Sequence, residues 1–291
     1  MATATVNGLR LGYELIGDGR RAWAITPGGR FTKDDPGIRE LAEAIAASGN
    51  RVLIWDRPNT GESDVCFEGA TESDMQADAL AGLLEHLDLA PAVVMGGSGG
   101  ARVSLLTAVR HPDVAAGVAM VWMSGGVIGR LVLGVHYCSG SIAAAWTGGM
   151  EAVVALPEWA EVLERNPGNR QHFLDQDPKE FIATFERWMV AYCPCRDDEL
   201  IPGLPDAQAR AMNKPALVFR SGESDYNHTR DTSERLAHLL SNARLAEPPW
   251  GDREWHERSA ARNSGEAGGL FVRWPLLAPQ LLEWADEVLG G

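Results

Sequence analysis

Cysteine is scarce in this chain, four in 291 residues (Cys66, Cys138, Cys193 and Cys195), too few to build a disulfide framework in a protein of this size. Cys193-Pro194-Cys195 has no second Cys/His pair at ligand spacing, so it reads as a helix end with partly buried thiols and no metal is called for. Basic residues are also in deficit: 26 Lys and Arg stand against 40 Asp and Glu, a net charge of −14. Such a surface repels phosphate backbones and anionic lipid, which argues against nucleic acid and membrane partners. The first residues, Met1-Ala2-Thr3-Ala4-Thr5-Val6-Asn7, carry neither a basic n-region nor an apolar h-region, so a cytoplasmic protein is expected. Long apolar runs are lacking too. The uncharged stretch 114–129 falls short of the roughly 20 residues a membrane span needs, and 131–150 is diluted by His136, Ser139, Ser141, Thr147 and glycines.

What is present is a strand-and-helix rhythm. Short apolar runs at 22–26, 51–55, 92–95 and 118–123 alternate with amphipathic stretches at 38–47, 75–87 and 101–106. Nearly continuous apolar strands separated by helices predict a doubly wound, mostly parallel sheet covered on both faces. A hairpin around Asn7-Gly8 is expected on its edge. The rhythm lapses after Met123 and resumes at Ala216-Leu217-Val218-Phe219-Arg220, followed by a helix at 232–240, a strand at 243–246 and a last helix at 277–288. Helical segments fill the interval (142–155, 157–165 and 178–192), so residues 126–212 read as a helical cap inserted into a core made of 1–125 and 213–291. The piece 259–269, rich in Gly, Ser and Arg, reads as a mobile loop.

Chemistry concentrates at Gly96-Gly97-Ser98-Gly99-Gly100, between the apolar strand 92–95 and a helix. A serine on a sharp strand-to-helix turn needs neighbours without a Cβ, and the turn presents its Oγ beyond the strand end as a nucleophile. The backbone N–H of Gly99, at the helix N-terminus, then faces any oxyanion formed there. In open parallel sheets reactive groups lie just past the carboxyl ends of strands. Past Arg220 comes a loop with Glu223, Asp225 and His228, and past Ala246 a segment with His256. Asp225 is the expected orienting acid, with Glu223 and the post-strand Ser124 as lesser candidates. His256 is the expected base, and His228, on the acid's own loop, is the alternative. Thr26-Pro27-Gly28-Gly29-Arg30 follows an early strand, which makes Gly29 the second oxyanion donor. Arg30, His136, Tyr137, Trp146 and Trp188 are candidates for the wall of the substrate pocket.

Together these residues resemble the α/β-hydrolase fold superfamily over nearly the whole chain. Asp56-Arg57-Pro58-Asn59-Thr60-Gly61-Glu62-Ser63 is similar to its Asp-Arg-x-x-x-Gly-x-Ser loop, and Gly222 with Asp225 to its acid loop. Two positions depart from the pattern: Pro27-Gly28 replaces the usual His-Gly pair, and Trp255-His256 replaces a Gly-His pair. The resemblance implies an eight-stranded sheet with an inserted cap and a Ser-acid-His order. Serine at the elbow argues against haloalkane dehalogenases and epoxide hydrolases, which carry aspartate there. Hydrolysis of a carboxylic ester or lactone of a small, partly apolar molecule is the leading expectation, with no cofactor. Hydrolytic C–C cleavage of a dienoic diketone is the rival, beside cofactor-free perhydrolysis and a low-turnover ligand-binding receptor. A small molecule is the expected partner, and a homodimer is compatible with these features.

Overall fold

The computed structural model describes residues 2–193, 196–264 and 269–290. Chain order begins β1 (Ala2–Val6), β2 (Leu9–Ile16), β3 (Arg21–Thr26), α1 (Ile38–Ala46), β4 (Asn50–Trp55), α2 (Glu72–His86), β5 (Ala92–Gly97), α3 (Gly99–Arg110) and β6 (Ala115–Val121). An insertion of α4 (Val127–Gly134), a π-helical turn (Val135–Ser139), α5 (Gly140–Val154), α6 (Ala160–Arg165), α7 (Asn169–Leu174), α8 (Pro178–Ala191) and α9 (Asp206–Ala211) follows. The sheet resumes with β7 (Ala216–Phe219), α10 (Arg230–Leu239), β8 (Ala243–Ala246), α11 (Glu254–Asn263) and α12 (Ala278–Leu289). The eight strands lie in the order β1-β2-β4-β3-β5-β6-β7-β8. The pairs β1/β2 and β2/β4 are antiparallel, and every other neighbouring pair is parallel. This is the α/β-hydrolase fold expected from the sequence.

Alternation along each strand explains the two layers. On β3 and β5, Trp23, Ile25, Val93 and Met95 pack with Leu41 of α1 and Leu281 of α12 on one face. Ala22, Ala24, Ala92 and Val94 point the other way, toward Leu83 of α2 and Leu105 of α3. Side chains two apart share a face, so a strand buried on both sides must be apolar at every position. Helix starts are set locally. Thr71 accepts from the Asp74 N–H to cap α2, and Asp177 accepts from Lys179 and Glu180 to cap α8, where Pro178 takes the first helical position.

The insertion has its own apolar centre, in which Phe67 from the loop after β4 packs among Trp159, Phe173, Phe181 and Phe185. Helices α4, α7 and α9 have no counterpart in the sequence expectation, being either short or, for α4, apolar on nearly every side. Residues Val127–Val154 run as one helical stretch, long and apolar enough by length and composition to cross a membrane, contrary to expectation. Gly149 breaks its backbone regularity at φ 66° and ψ −161°. The stretch packs on α8 and lines the pocket described below. Residues 259–263, expected in a loop, instead complete α11, while 265–268 and Cys195 lie outside the described residues. Cys66 and Cys138 are buried free thiols, and Cys193 is partly buried just past α8.

A buried ionic cluster fastens the turns after β3 and β4 to each other. The Lys33 ammonium donates to Asp56 Oδ2 at 3.1 Å, to Glu62 Oε2 at 3.0 Å and to Asp34 Oδ2 at 3.0 Å. Asp56 also accepts from the backbone N–H groups of Lys33 at 2.8 Å and Glu62 at 3.0 Å. Burial opposes the lysine's charge, but the surrounding carboxylates outweigh it and hold its pKa above the ordinary value. Removing one partner strands the other charge in the interior. Asp56→Ala is therefore expected to cost about 3–5 kcal/mol in urea unfolding. Arg110→Ala, which breaks an exposed pair with Asp78, should cost below about 1 kcal/mol in the same measurement.

Candidate active site

Three backbone segments meet at Ser98. The serine lies at φ 54° and ψ −120°, a conformation L-residues rarely adopt. A Cβ on Gly96 would sit 2.3 Å from the Gly100 carbonyl oxygen, and one on Gly100 only 2.0 Å from the Thr26 oxygen. One on Gly28 would lie 2.7 Å from the Ser98 Cβ, so the turn after β3 abuts the nucleophile position directly. Glycine at these sites is a steric requirement of the close approach.

Ser98 Oγ stands 2.9 Å from His228 Nε2, and His228 Nδ1 stands 3.0 Å from Asp225 Oδ2. A carboxylate only accepts, so Nδ1 carries the proton and Nε2 is free to accept from the serine hydroxyl. Asp225 Oδ1 accepts from the N–H groups of Asn227 and His228, both at 3.0 Å, which fixes the carboxylate and the loop together. All three side chains are buried. Acid and imidazole thus come from the single loop between β7 and α10.

His256, the expected base, is not part of this arrangement and the expectation is corrected. It lies in the first turn of α11, and its Nε2 meets the Ser224 carbonyl at 2.5 Å on the exposed side. The segment after β8 does reach the site, but with its neighbour: Trp255 packs edge-on against His228, ring centroids 4.3 Å apart. A helical turn sends adjacent residues in different directions, and here the partly buried indole of Trp255 takes the one toward His228. Glu223 is exposed, and Ser124 places its Oγ 3.4 Å from that of Ser98. The signal that could have selected His228 is the spacing Asp-x-x-His, which lets one carboxylate cap the loop and bind the ring at once.

Gly29, at φ 56°, and Gly99, the first residue of α3, flank the serine; the Gly29 nitrogen lies 3.5 Å from where a Gly99 Cβ would be. Neither N–H has a hydrogen-bond partner among the described residues. Two unused amides beside a serine hydroxyl are an arrangement able to receive an oxyanion.

A cavity of about 720 Å³ opens over Ser98 and His228. Arg30, His136 and Tyr137 line it as expected, with Phe31, Leu133 and Trp255 beside them. Trp146 and Trp188 do not, and both are corrected. Trp146 is 70 % exposed on α5, and Trp188 is buried within the insertion, its indole N–H donating to the Gly69 carbonyl. The Arg30 guanidinium is bound to Glu72 and lies over the rings of Tyr137 and Trp159. Burial works against that charge, yet Glu72 holds its pKa above normal. His136 is pushed down by burial and by Arg30, which favours its neutral form. Toward the outer wall, burial raises Asp35 and Glu161 above the usual carboxylate range.

The sheet, the strained serine and its imidazole define a protein of α/β-hydrolase architecture with a serine at the elbow. The chain belongs to the Alpha/beta hydrolase family, whose pattern it matches over residues 8–283. It is 30% identical over 122 residues to a 2-hydroxy-6-oxononadienedioate/2-hydroxy-6-oxononatrienedioate hydrolase of Burkholderia vietnamiensis, a match spanning 42% of each chain. The matched part is thus under half the length of that relative. A 2-hydroxymuconate semialdehyde hydrolase from a Pseudomonas species is 25% identical over 263 residues, 83% of this chain and 87% of the relative. Among solved structures, the enol-lactonase from Burkholderia xenovorans has a TM-score of 0.61 at 22% identity, covering 98% of this chain and 100% of its own. At that identity the likeness speaks to fold alone.

An activated fluorophosphonate probe should label the wild-type protein and not Ser98→Ala. His228→Ala should slow labelling by at least about 10³-fold, as expected when a nucleophile loses its base. His256→Ala should label within about twofold of wild type, because its ring makes no contact with Ser98.

Proposed function

We propose that this chain is a serine hydrolase that cleaves a carboxylic ester or lactone of a small, partly apolar molecule through an acyl-enzyme on Ser98. The observation that carries the reading is the Ser98–His228–Asp225 relay, with unused amides beside it. In the first half-reaction His228 Nε2 takes the hydroxyl proton as Ser98 Oγ bonds to the acyl carbon, and the carbonyl oxygen becomes an anion facing the N–H groups of Gly29 and Gly99. Collapse expels the alkoxide, which leaves as the alcohol with the proton from His228. Water then repeats the sequence on the acyl-enzyme and releases the acid. Asp225 stays ionised and keeps the imidazole in the productive tautomer.

The insertion, residues 126–212, acts as a cap over a core formed by 1–125 and 213–291. Leu133 and Tyr137 from the insertion line the cavity together with Phe31 and Trp255 from the core, which favours a substrate with an apolar portion.

A second reading, hydrolytic cleavage of a carbon–carbon bond beside a ketone, is favoured by the names of the relatives, one of which aligns over most of the chain. It requires the same serine and imidazole, but the leaving carbon must be protonated as it departs. Turnover of p-nitrophenyl butyrate and a simple lactone, lost by at least about 10³-fold in Ser98→Ala, is the expected outcome. Failure on those substrates with turnover of a dienoic diketone from aromatic ring cleavage would replace the first reading with the second.

A further inference from the structure

Arg57, just past β4, has an unusual environment for a buried cation. It is 3 % exposed, and among the described residues none of its hydrogen bonds goes to a carboxylate. Nη2 donates to the Gly29 carbonyl at 2.7 Å, to the Gly28 carbonyl at 3.2 Å and to the Phe31 carbonyl at 3.4 Å, and Nη1 donates to Gln76 Oε1 at 3.3 Å. Nε has no partner. Glu72, the carboxylate that does act on it, is already bound by Arg30 and by Asn59. Burial brings the Arg57 pKa down to about 10, so the group remains charged at neutral pH. A cation kept in the interior without a bonded counter-ion is costly, and such placements concentrate where charge develops during a reaction.

The bond to the Gly28 carbonyl shows what the charge could be for. That oxygen and the Gly29 N–H belong to one peptide group, and the oxygen also accepts from the Phe31 N–H at 3.2 Å, which closes the turn. Withdrawing electron density at the oxygen of an amide makes its N–H a stronger donor, the cooperative effect seen in hydrogen-bond chains. The same guanidinium lies close to the second amide, since Nη1 is 3.8 Å from where a Gly99 Cβ would be. Resting on the serine-hydrolase reading above, we propose that Arg57 is a positioning residue whose charge polarises the Gly28–Gly29 peptide and so strengthens the oxyanion donor. Its effect is exerted on the transition state, because the substrate carbonyl is neutral and the tetrahedral oxygen is not.

A residue that only staples the turn would weaken ground-state and transition-state binding together, which sets the test. Arg57→Gln and Arg57→Lys are measured with p-nitrophenyl butyrate, and each is titrated with an alkyl trifluoromethyl ketone and with the corresponding methyl ketone. The trifluoromethyl ketone adds Ser98 to form an anionic hemiketal; the methyl ketone binds unreacted. In Arg57→Gln, kcat should fall about 30- to 100-fold with KM within threefold, below the loss expected for deleting a donor outright. Trifluoromethyl ketone affinity should fall by the same factor and methyl ketone affinity should hold, with Arg57→Lys intermediate in both. Equal weakening of the two ketones, or kcat within threefold of wild type, would overturn the proposal. Should Arg57→Gln not fold, the same pair of ketones on Arg57→Lys decides it. A wild-type protein that forms no hemiketal would remove the serine-hydrolase reading and this one with it, whereas a wild-type adduct unaffected by both substitutions removes the Arg57 role alone.

Discussion

Ser98 holds a backbone conformation that costs of order 1–3 kcal/mol for a residue with a Cβ, and the architecture around it exists to make that conformation unavoidable. Strand β5 lies between β3 and β6, so the serine emerges at the middle of the sheet with a strand end on each side. The turn after β3 can close against it only because Gly28, Gly96 and Gly100 leave no side chain in the way. Helix α3 then begins at Gly99, whose N–H, next to the serine, has no partner among the described residues. Strain, presentation of the Ser98 hydroxyl to the cavity and unused amides beside it are three consequences of one crowded junction.

Charge buried beneath that junction keeps it rigid. The loop 56–63 sends Asp56 toward Lys33 and Arg57 toward the carbonyls of residues 28 and 29, so the turn after β3 is held from two sides by ionic hydrogen bonds. Ser63 closes the loop by donating to the Asp56 carbonyl at 2.6 Å and accepting from the Gly12 N–H at 3.0 Å. Interactions of this kind are expensive to assemble and more expensive to break singly. They suit a site whose donors must already be aimed when charge appears.

The loop after β7 is compact for a related reason. Asp225 binds two backbone amides and the ring of His228, so a single carboxylate organises the loop and orients the imidazole. The segment after β8 supplies Trp255 edge-on against it instead, while Trp122 stacks on the same imidazole and packs in turn with Trp255, Trp250 and Phe271. These rings bury the imidazole, whose Nδ1 meets Asp225 and whose Nε2 meets Ser98.

Apolar runs of strand length, Gly-Gly-Ser-Gly-Gly after one of them and Asp225 after another determined the sheet, the elbow and the acid, because each depends on local chemistry: side-chain alternation, the missing Cβ of glycine and the position of a strand end. Which imidazole meets Ser98 is a different kind of question. His228 and His256 both follow strands, and the choice rests on how α11 is rotated, which is set by the packing of Trp255 among distant aromatic rings. The same holds for Trp146 and Trp188, both on helices of the insertion, of which the first faces solvent and the second the interior of the insertion. Arg57 stood inside a legible motif, yet its bonds to Gly28 and Gly29 join residues nearly thirty positions apart, a contact that only the assembled sheet creates.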